Sequence, residues 1–172
     1  MEAVVISEAR YGNTHVVADA IGRGLAGGGE VVVVPVDQAG PALVGDADLI
    51  VVGGPTHAHG MSRPSTRQAA VDQAKDNPID PSASGPGVRE WLETMPPIAA
   101  SAAAFDTRAG VAPAMLTGRA SKGIAKRLHQ HGFGQVAEPE SFLVDKENHL
   151  EPGEEERAEQ WGARLAAAVS PR

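Results

Sequence analysis

Val4-Val5-Ile6-Ser7-Glu8-Ala9-Arg10-Tyr11-Gly12-Asn13-Thr14 is the stretch from which the fold can be read. Its β-branched run predicts a strand over 3–7, which gives way to a short small-polar loop. A helical pattern follows at once. Val17, Ile21 and Leu25 recur at i, i+4 and i+8, so a helix is predicted over 13–26, stopped by Gly27-Gly28-Gly29. A buried strand that breaks into a loop and then a helix aims backbone N–H groups and the helix N-terminus at one spot. The helix dipole favours an anion there. Asn13 or Thr14 can cap this helix and also offer side-chain bonds to a phosphate. A plain strand-to-helix turn has the same local pattern, but a place directly after the first strand favours the phosphate reading.

The same alternation continues down the chain. Strands are predicted over 31–34, with Pro35 ending it or marking an edge, and over 49–52, closed by Gly53-Gly54-Pro55. A helix over 62–75 has Pro64 near its start, the proline-rich stretch 77–87 reads as a loop, and 88–93 reads as a short helix. Residues 98–105 are Ala-rich and poor in β-formers, so a strand there is assigned by position alone. A helix over 119–131 puts Ile124 and Leu128 on one face, and a fifth strand is anchored by 141–144. Glu154-Glu155-Glu156 opens the last helix, with Trp161, Leu165 and Val169 as its buried stripe. Alternating strands and helices predict an α/β fold, a parallel sheet with helices on both faces. Five strands suit the open doubly wound sheet of order 2-1-3-4-5, whose ligand sits at the carboxyl ends of strands 1, 3 and 4. Residues 1–172 are expected to form a single domain.

Composition narrows the function classes. The chain has no cysteine, which removes disulfides, iron–sulfur clusters and thiolate zinc sites. No apolar run approaches the roughly 18 residues of a membrane span. No basic segment precedes an apolar one at the N-terminus, so a cytoplasmic protein is expected. A formal charge of −7 argues against nucleic-acid binding and fits docking on a basic partner. No G-x-S-x-G elbow or paired-carboxylate signature is visible, which argues against a hydrolase.

The loop from Ala9 to Thr14 resembles the FMN phosphate loop of flavodoxins, usually Ser/Thr-x-Thr-Gly-Asn-Thr. Gly12-Asn13-Thr14 matches it. Ala9 stands where a hydroxyl is usual, Tyr11 replaces the common threonine, and Arg10 adds a charge. Gly53-Gly54-Pro55-Thr56-His57 is similar to the second flavin loop of flavodoxin-fold proteins, flavin-dependent quinone reductases among them. Phe105-Asp106-Thr107-Arg108 stands where the third flavin loop belongs. As a set, GNT (12–14), GGPTHAHGMSRPSTR (53–67), FDTR (105–108) and EPESFLV (138–144) resemble a flavodoxin-domain family common in actinobacteria, over nearly the whole chain.

The resemblance implies a flavodoxin-like three-layer sandwich holding noncovalent FMN. Arg10, Tyr11, Gly12, Asn13 and Thr14 would take the phosphate. The ring would lie between Pro55, Thr56, His57, His59 and Gly60 on one side and Phe105, Asp106, Thr107 and Arg108 on the other. The implied function is electron transfer with redox partner proteins or a small-molecule acceptor, without nucleic acid or membrane. The alternatives are an FMN-dependent NAD(P)H:quinone-type reductase and a flavodoxin-fold binding module that has lost FMN.

Several of these residues also have plainer roles. His57 and His59 form an His-x-His pair, but two loop ligands are too few for a closed metal site, and no metal is expected. They read as exposed loop histidines, or one imidazole packs on the flavin ring. Phe105 either lines the flavin or closes the top of the core, and Arg108 either bonds the flavin edge or is a solvated charge. Gly60 is either the pivot of the strand-3 loop or a turn residue. Trp91 and Trp161 fall on helices and read as core. Lys126, Arg127, His129 and His131 crowd a helix C-terminus, where cations are favourable, and no function is assigned to them.

Overall fold

The computed structural model describes residues 1–8, 12–57, 60–73, 85–111 and 113–169. The β-branched run at the start forms β1 (Glu2–Ser7), and β2 (Glu30–Pro35) and β3 (Leu49–His57) pair parallel on either side of it. Val5 faces Val33 on one flank and Val51 on the other. β5 (Ser101–Ala109) follows on the far side of β3, and β7 (Glu140–Val144) pairs with the second half of β5. The long parallel strands therefore run β2-β1-β3-β5-β7, which is the 2-1-3-4-5 order expected. Two short strands complete the sheet. β4 (Gly60–Met61) turns back antiparallel on the end of β3, and β6 (Gly134–Gln135) pairs with the start of β5. The fifth strand is thus in two pieces. The break at 136–139 ends in Pro139, which has no N–H to give to a ladder.

Side-chain alternation sends each strand's apolar residues to two helical layers. α1 (Asn13–Leu25) and α7 (Glu154–Ala168) cover one face, where Val17, Ile21, Leu25, Trp161 and Leu165 pack on Val5, Val51 and Ala103. The helices Val88–Thr94 and Ala120–Gln130 cover the other face. There Val44, Trp91, Leu92, Ile124 and Leu128 pack on Ile6, Ile50, Val52 and Ala104. The helices after β2, in chain order, are α2 (Pro41–Asp46), α3 (Pro64–Gln73), α4 (Val88–Thr94), α5 (Ala114–Thr117) and α6 (Ala120–Gln130). α2 and α5 are too short to show a helical period, and neither is predicted from the pattern. α1 and α7 touch through glycines. A Cβ on Gly24 would stand 1.9 Å from the Glu159 carbonyl oxygen, and one on Gly162 would stand 2.3 Å from that of Ile21. Both tryptophans are core residues, and Trp91 Nε1 donates to the Ala39 carbonyl at 2.7 Å. Among the described residues no helix is long and apolar enough to cross a membrane.

Two strand boundaries differ from the sequence reading, and both matter for the site. β3 does not stop at Gly53 but runs through Gly53-Gly54-Pro55 to His57, paired with Phe105, Asp106 and Thr107. The glycines make room: a Cβ on Gly53 would lie 2.2 Å from the Phe105 ring, and one on Gly54 would lie 3.2 Å from the Glu8 carboxylate. β5 likewise extends past Phe105, so Asp106-Thr107-Arg108 is strand and not loop. Its alanines are buried against both helical layers, where small side chains suit a central strand better than β-propensity alone indicates.

Candidate functional site

The helix N-terminus after β1 is the first element of the site. Gly12 is the N-cap of α1, with φ 81° and ψ −171°. A Cβ there would meet nothing within 4 Å, so backbone conformation rather than space selects glycine. The expected cap from Asn13 or Thr14 is absent: the N-cap residue is Gly12, no side-chain cap bond is made among the described residues, and the first turn holds no acid. Both side chains are committed elsewhere. Asn13 Nδ2 donates to the Asn148 carbonyl at 2.8 Å, and Thr14 Oγ1 lies 2.7 Å from Thr107 Oγ1. Among the described residues, a thirteen-residue helix therefore presents its positive end without a side-chain acceptor of its own.

That end opens on a cleft of about 460 Å³ at the carboxyl edge of the sheet, within the roughly 300–1,000 Å³ usual for small-molecule sites. Asn13 and Thr14 form one wall. Pro55, Thr56 and His57 come from the end of β3, and Thr107, Arg108 and Ala109 from the end of β5. Val144, Asp145 and Asn148 close the fourth side. Thr14 and Thr107 are each 4 % exposed, and their two hydroxyls share one hydrogen bond. Each hydroxyl carries one proton, so the pair keeps a second donor to give, and both residues line the cleft. Among the described residues no Phe, Trp or Tyr lines it.

Three of the expected site residues are placed elsewhere. Phe105 is fully buried, shares the α1/α7 face with Ala103, and meets Phe142 edge-on at 6.2 Å between centroids. It closes the core instead of lining the cleft, because one-residue alternation turns it inward beneath Gly53. Asp106, one residue on, points to the opposite layer. It is fully buried, and its Oδ2 accepts the Ser121 N–H of α6 at 2.7 Å. Thr56 Oγ1 accepts the neighbouring Ala120 N–H at 3.0 Å, so the start of α6 is capped by side chains of β3 and β5 and not by its own N-cap residue, Arg119. Gly60 sits in β4 opposite His57, without a positive φ, and borders a neighbouring cleft. Arg10, Tyr11 and His59 lie outside the described residues.

The fourth wall is not singled out by the sequence reading. Asn148 adopts φ 64°, a left-handed conformation that asparagine tolerates better than most residues. Asp145 Oδ1 accepts the His149 N–H at 2.8 Å and tightens the same turn. The local signal is the polar Asp-Lys-Glu-Asn-His string, which marks a turn but not its contact with Asn13. Below this wall, the Arg157 guanidinium stands 4.5 Å from the Phe142 ring centroid and bonds Glu140 at 3.0 Å and Glu154 at 2.7 Å. Burial pushes the Glu154 carboxyl up, but the Arg157 bond and the Leu143 N–H outweigh it and hold the group below its ordinary value. The Glu154 bond likewise raises Arg157 against its own burial.

A second polar cluster braces the loop from the other side. Glu8, 8 % exposed, accepts from Ser62 Oγ and from the Val88 N–H at 3.1 Å. Arg67 donates to Ser62 Oγ at 2.8 Å and to Glu90 at 3.0 Å, and Glu90 also accepts the Gly87 N–H at 2.8 Å. Burial alone would raise the Glu90 carboxyl, but the Gly87 N–H and Arg67 hold it down. These bonds tie the end of β1 to the starts of α3 and α4.

No protein-family model and no curated protein matches the sequence. Solved structures do match. An oxidised Flavodoxin 1 from Bacillus cereus is 21% identical, with 99% of this chain and 100% of that chain covered at a TM-score of 0.67. A flavodoxin from the domain Archaea is 20% identical, covering 97% of each chain at 0.66. A flavodoxin, WrbA-like protein from Agrobacterium tumefaciens is 20% identical, covering 96% and 95% at 0.59. The fold is flavodoxin-like. In this flavodoxin-like sheet the cleft lies at the carboxyl ends of β1, β3 and β5, beside the point where strand order reverses.

Proposed function

We propose that the cleft binds FMN noncovalently and that the protein serves in electron transfer. The observation that carries this reading is the convergence on one cleft of the α1 N-terminus, the Thr14/Thr107 hydroxyl pair and the exits of β3 and β5. A phosphate would rest on the amides at Gly12 to Thr14, where the helix end favours negative charge. The flavin ring would lie against Pro55, Thr56 and His57 on one side and Thr107 and Arg108 on the other. The flavin supplies the redox chemistry when bound, and the chain supplies position and surroundings. Asn13 keeps the β7 exit against the helix end, and the Glu8 cluster holds the base of the loop. Redox partner proteins or a small-molecule acceptor complete the reading.

The test is a parallel titration of FMN and riboflavin by quenching of flavin fluorescence, after recording the spectrum of the purified protein. FMN is expected to bind at least about tenfold more tightly, since a single bond to a charged group contributes about 1.5–3 kcal/mol. Equal affinity for riboflavin removes the phosphate assignment. A colourless protein that takes up neither compound removes the flavin reading altogether.

A further inference from the structure

A second cleft, of about 270 Å³, adjoins the first, and His57 lines both. Its lining includes Arg63 and Arg89, beside Ser65 and Thr66. Arg63 directly precedes α3 and Arg89 lies in the first turn of α4, so two helices bring together charges that are 26 residues apart in the chain.

These arginines differ from others in the molecule. Arg23, Arg67 and Arg157 each pair with a carboxylate. Neither the Arg63 nor the Arg89 side chain has a hydrogen bond or ion pair with a described residue, and Arg89 Nε is buried without an acceptor. Burial lowers the Arg89 guanidinium's pKa, and the charges of Arg127 and Arg63 lower it further, against Glu90 and Glu93. Glu90 is already engaged by Arg67 and Gly87. In a chain of net charge −7 this is a concentration of positive charge in a concave site, without a direct ion pair among the described residues.

We propose that Arg63 and Arg89 form a phosphoryl-binding pocket for a small co-substrate whose remainder reaches past His57 into the larger cleft. Anion binding by the pocket stands apart from the flavin reading, while the path past His57 rests on it. The chemistry selects a phosphoryl group over a carboxylate. Two guanidinium forks and the Ser65 hydroxyl offer more donors than the two oxygens of a carboxylate can accept, and a phosphoryl dianion has three terminal oxygens and twice the charge.

The experiment is calorimetric titration of the flavin-free full chain with inorganic pyrophosphate at low ionic strength. Wild type is expected to bind, and Arg63→Gln and Arg89→Gln are each expected to weaken the binding by about tenfold or more. That component should persist in Thr14→Val, and malonate should bind at least about tenfold more weakly than pyrophosphate. Arg63 is exposed, so Arg63→Gln keeps the test available if Arg89→Gln does not fold. No pyrophosphate binding, binding unchanged in both arginine variants, loss in Thr14→Val alone, or malonate binding as tightly as pyrophosphate would each overturn the proposal. None of these readouts uses flavin, so they separate failure of this pocket from failure of FMN binding.

Discussion

The Thr14–Thr107 contact links the stability of the fold to the proposed ligand site, and the two effects separate in one set of variants. Both side chains are 4 % exposed, and their oxygens are 2.7 Å apart. Thr14→Val keeps the shape but leaves the Thr107 hydroxyl buried without its partner, which costs about 1–3 kcal/mol of stability. Thr107→Val does the same to Thr14. The double variant removes both polar groups, so its loss should fall short of the sum of the single losses by at least about 1 kcal/mol. Urea unfolding of the flavin-free proteins at 25 °C measures this. FMN affinity then reports a different quantity. Thr14 lies on the first turn of α1, and losing its hydroxyl should weaken FMN by about 1.5–3 kcal/mol, roughly 10- to 150-fold. Thr107→Val, which leaves the Thr14 hydroxyl on the loop, should cost FMN binding less than about 1 kcal/mol. Additive stability losses would refute the hydroxyl pairing. Equal FMN affinity in Thr14→Val and wild type, with both folded by circular dichroism, would refute the phosphate assignment.

Gly24→Ala should destabilise by about 1–3 kcal/mol, because the added Cβ meets the α7 backbone rather than a side chain that can move. Thermal unfolding should shift down by about 2–4 °C per kcal/mol, and a raised midpoint, as helix propensity alone predicts, would contradict the close contact of α1 and α7. Glu154 is held below its ordinary value, so the stability it contributes is fully present above the unfolded value near about pH 4.3 and is lost as pH falls through the lower folded one. Glu154→Gln should therefore lower the urea midpoint at pH 7 and flatten the acid limb of the stability–pH curve; an acid limb identical to wild type would exclude this role.

The alternation of apolar runs is a local property, and it was enough to order the five long strands and to place both tryptophans in the core. The 3.6-period pattern of Val17, Ile21 and Leu25 was enough to place α1, but not its cap, which is Gly12 and neither Asn13 nor Thr14. How far β3 and β5 run was not legible, because Gly53 and Gly54 read as loop residues until Phe105 and Glu8 fill the space beside them. The direction of Phe105 and Asp106 depended on that register: extending β5 by strand geometry puts Phe105 in one layer and Asp106 under α6 in the other. The fourth wall of the cleft, the caps on α6 and the Glu8 cluster join residues far apart in sequence, as Asn13 and Asn148 are, at a separation of 135. Periodicity and propensity describe what a segment does with its near neighbours. Which polar group meets another across the carboxyl edge of the sheet is set by packing of the whole chain, and only the tertiary structure decides it.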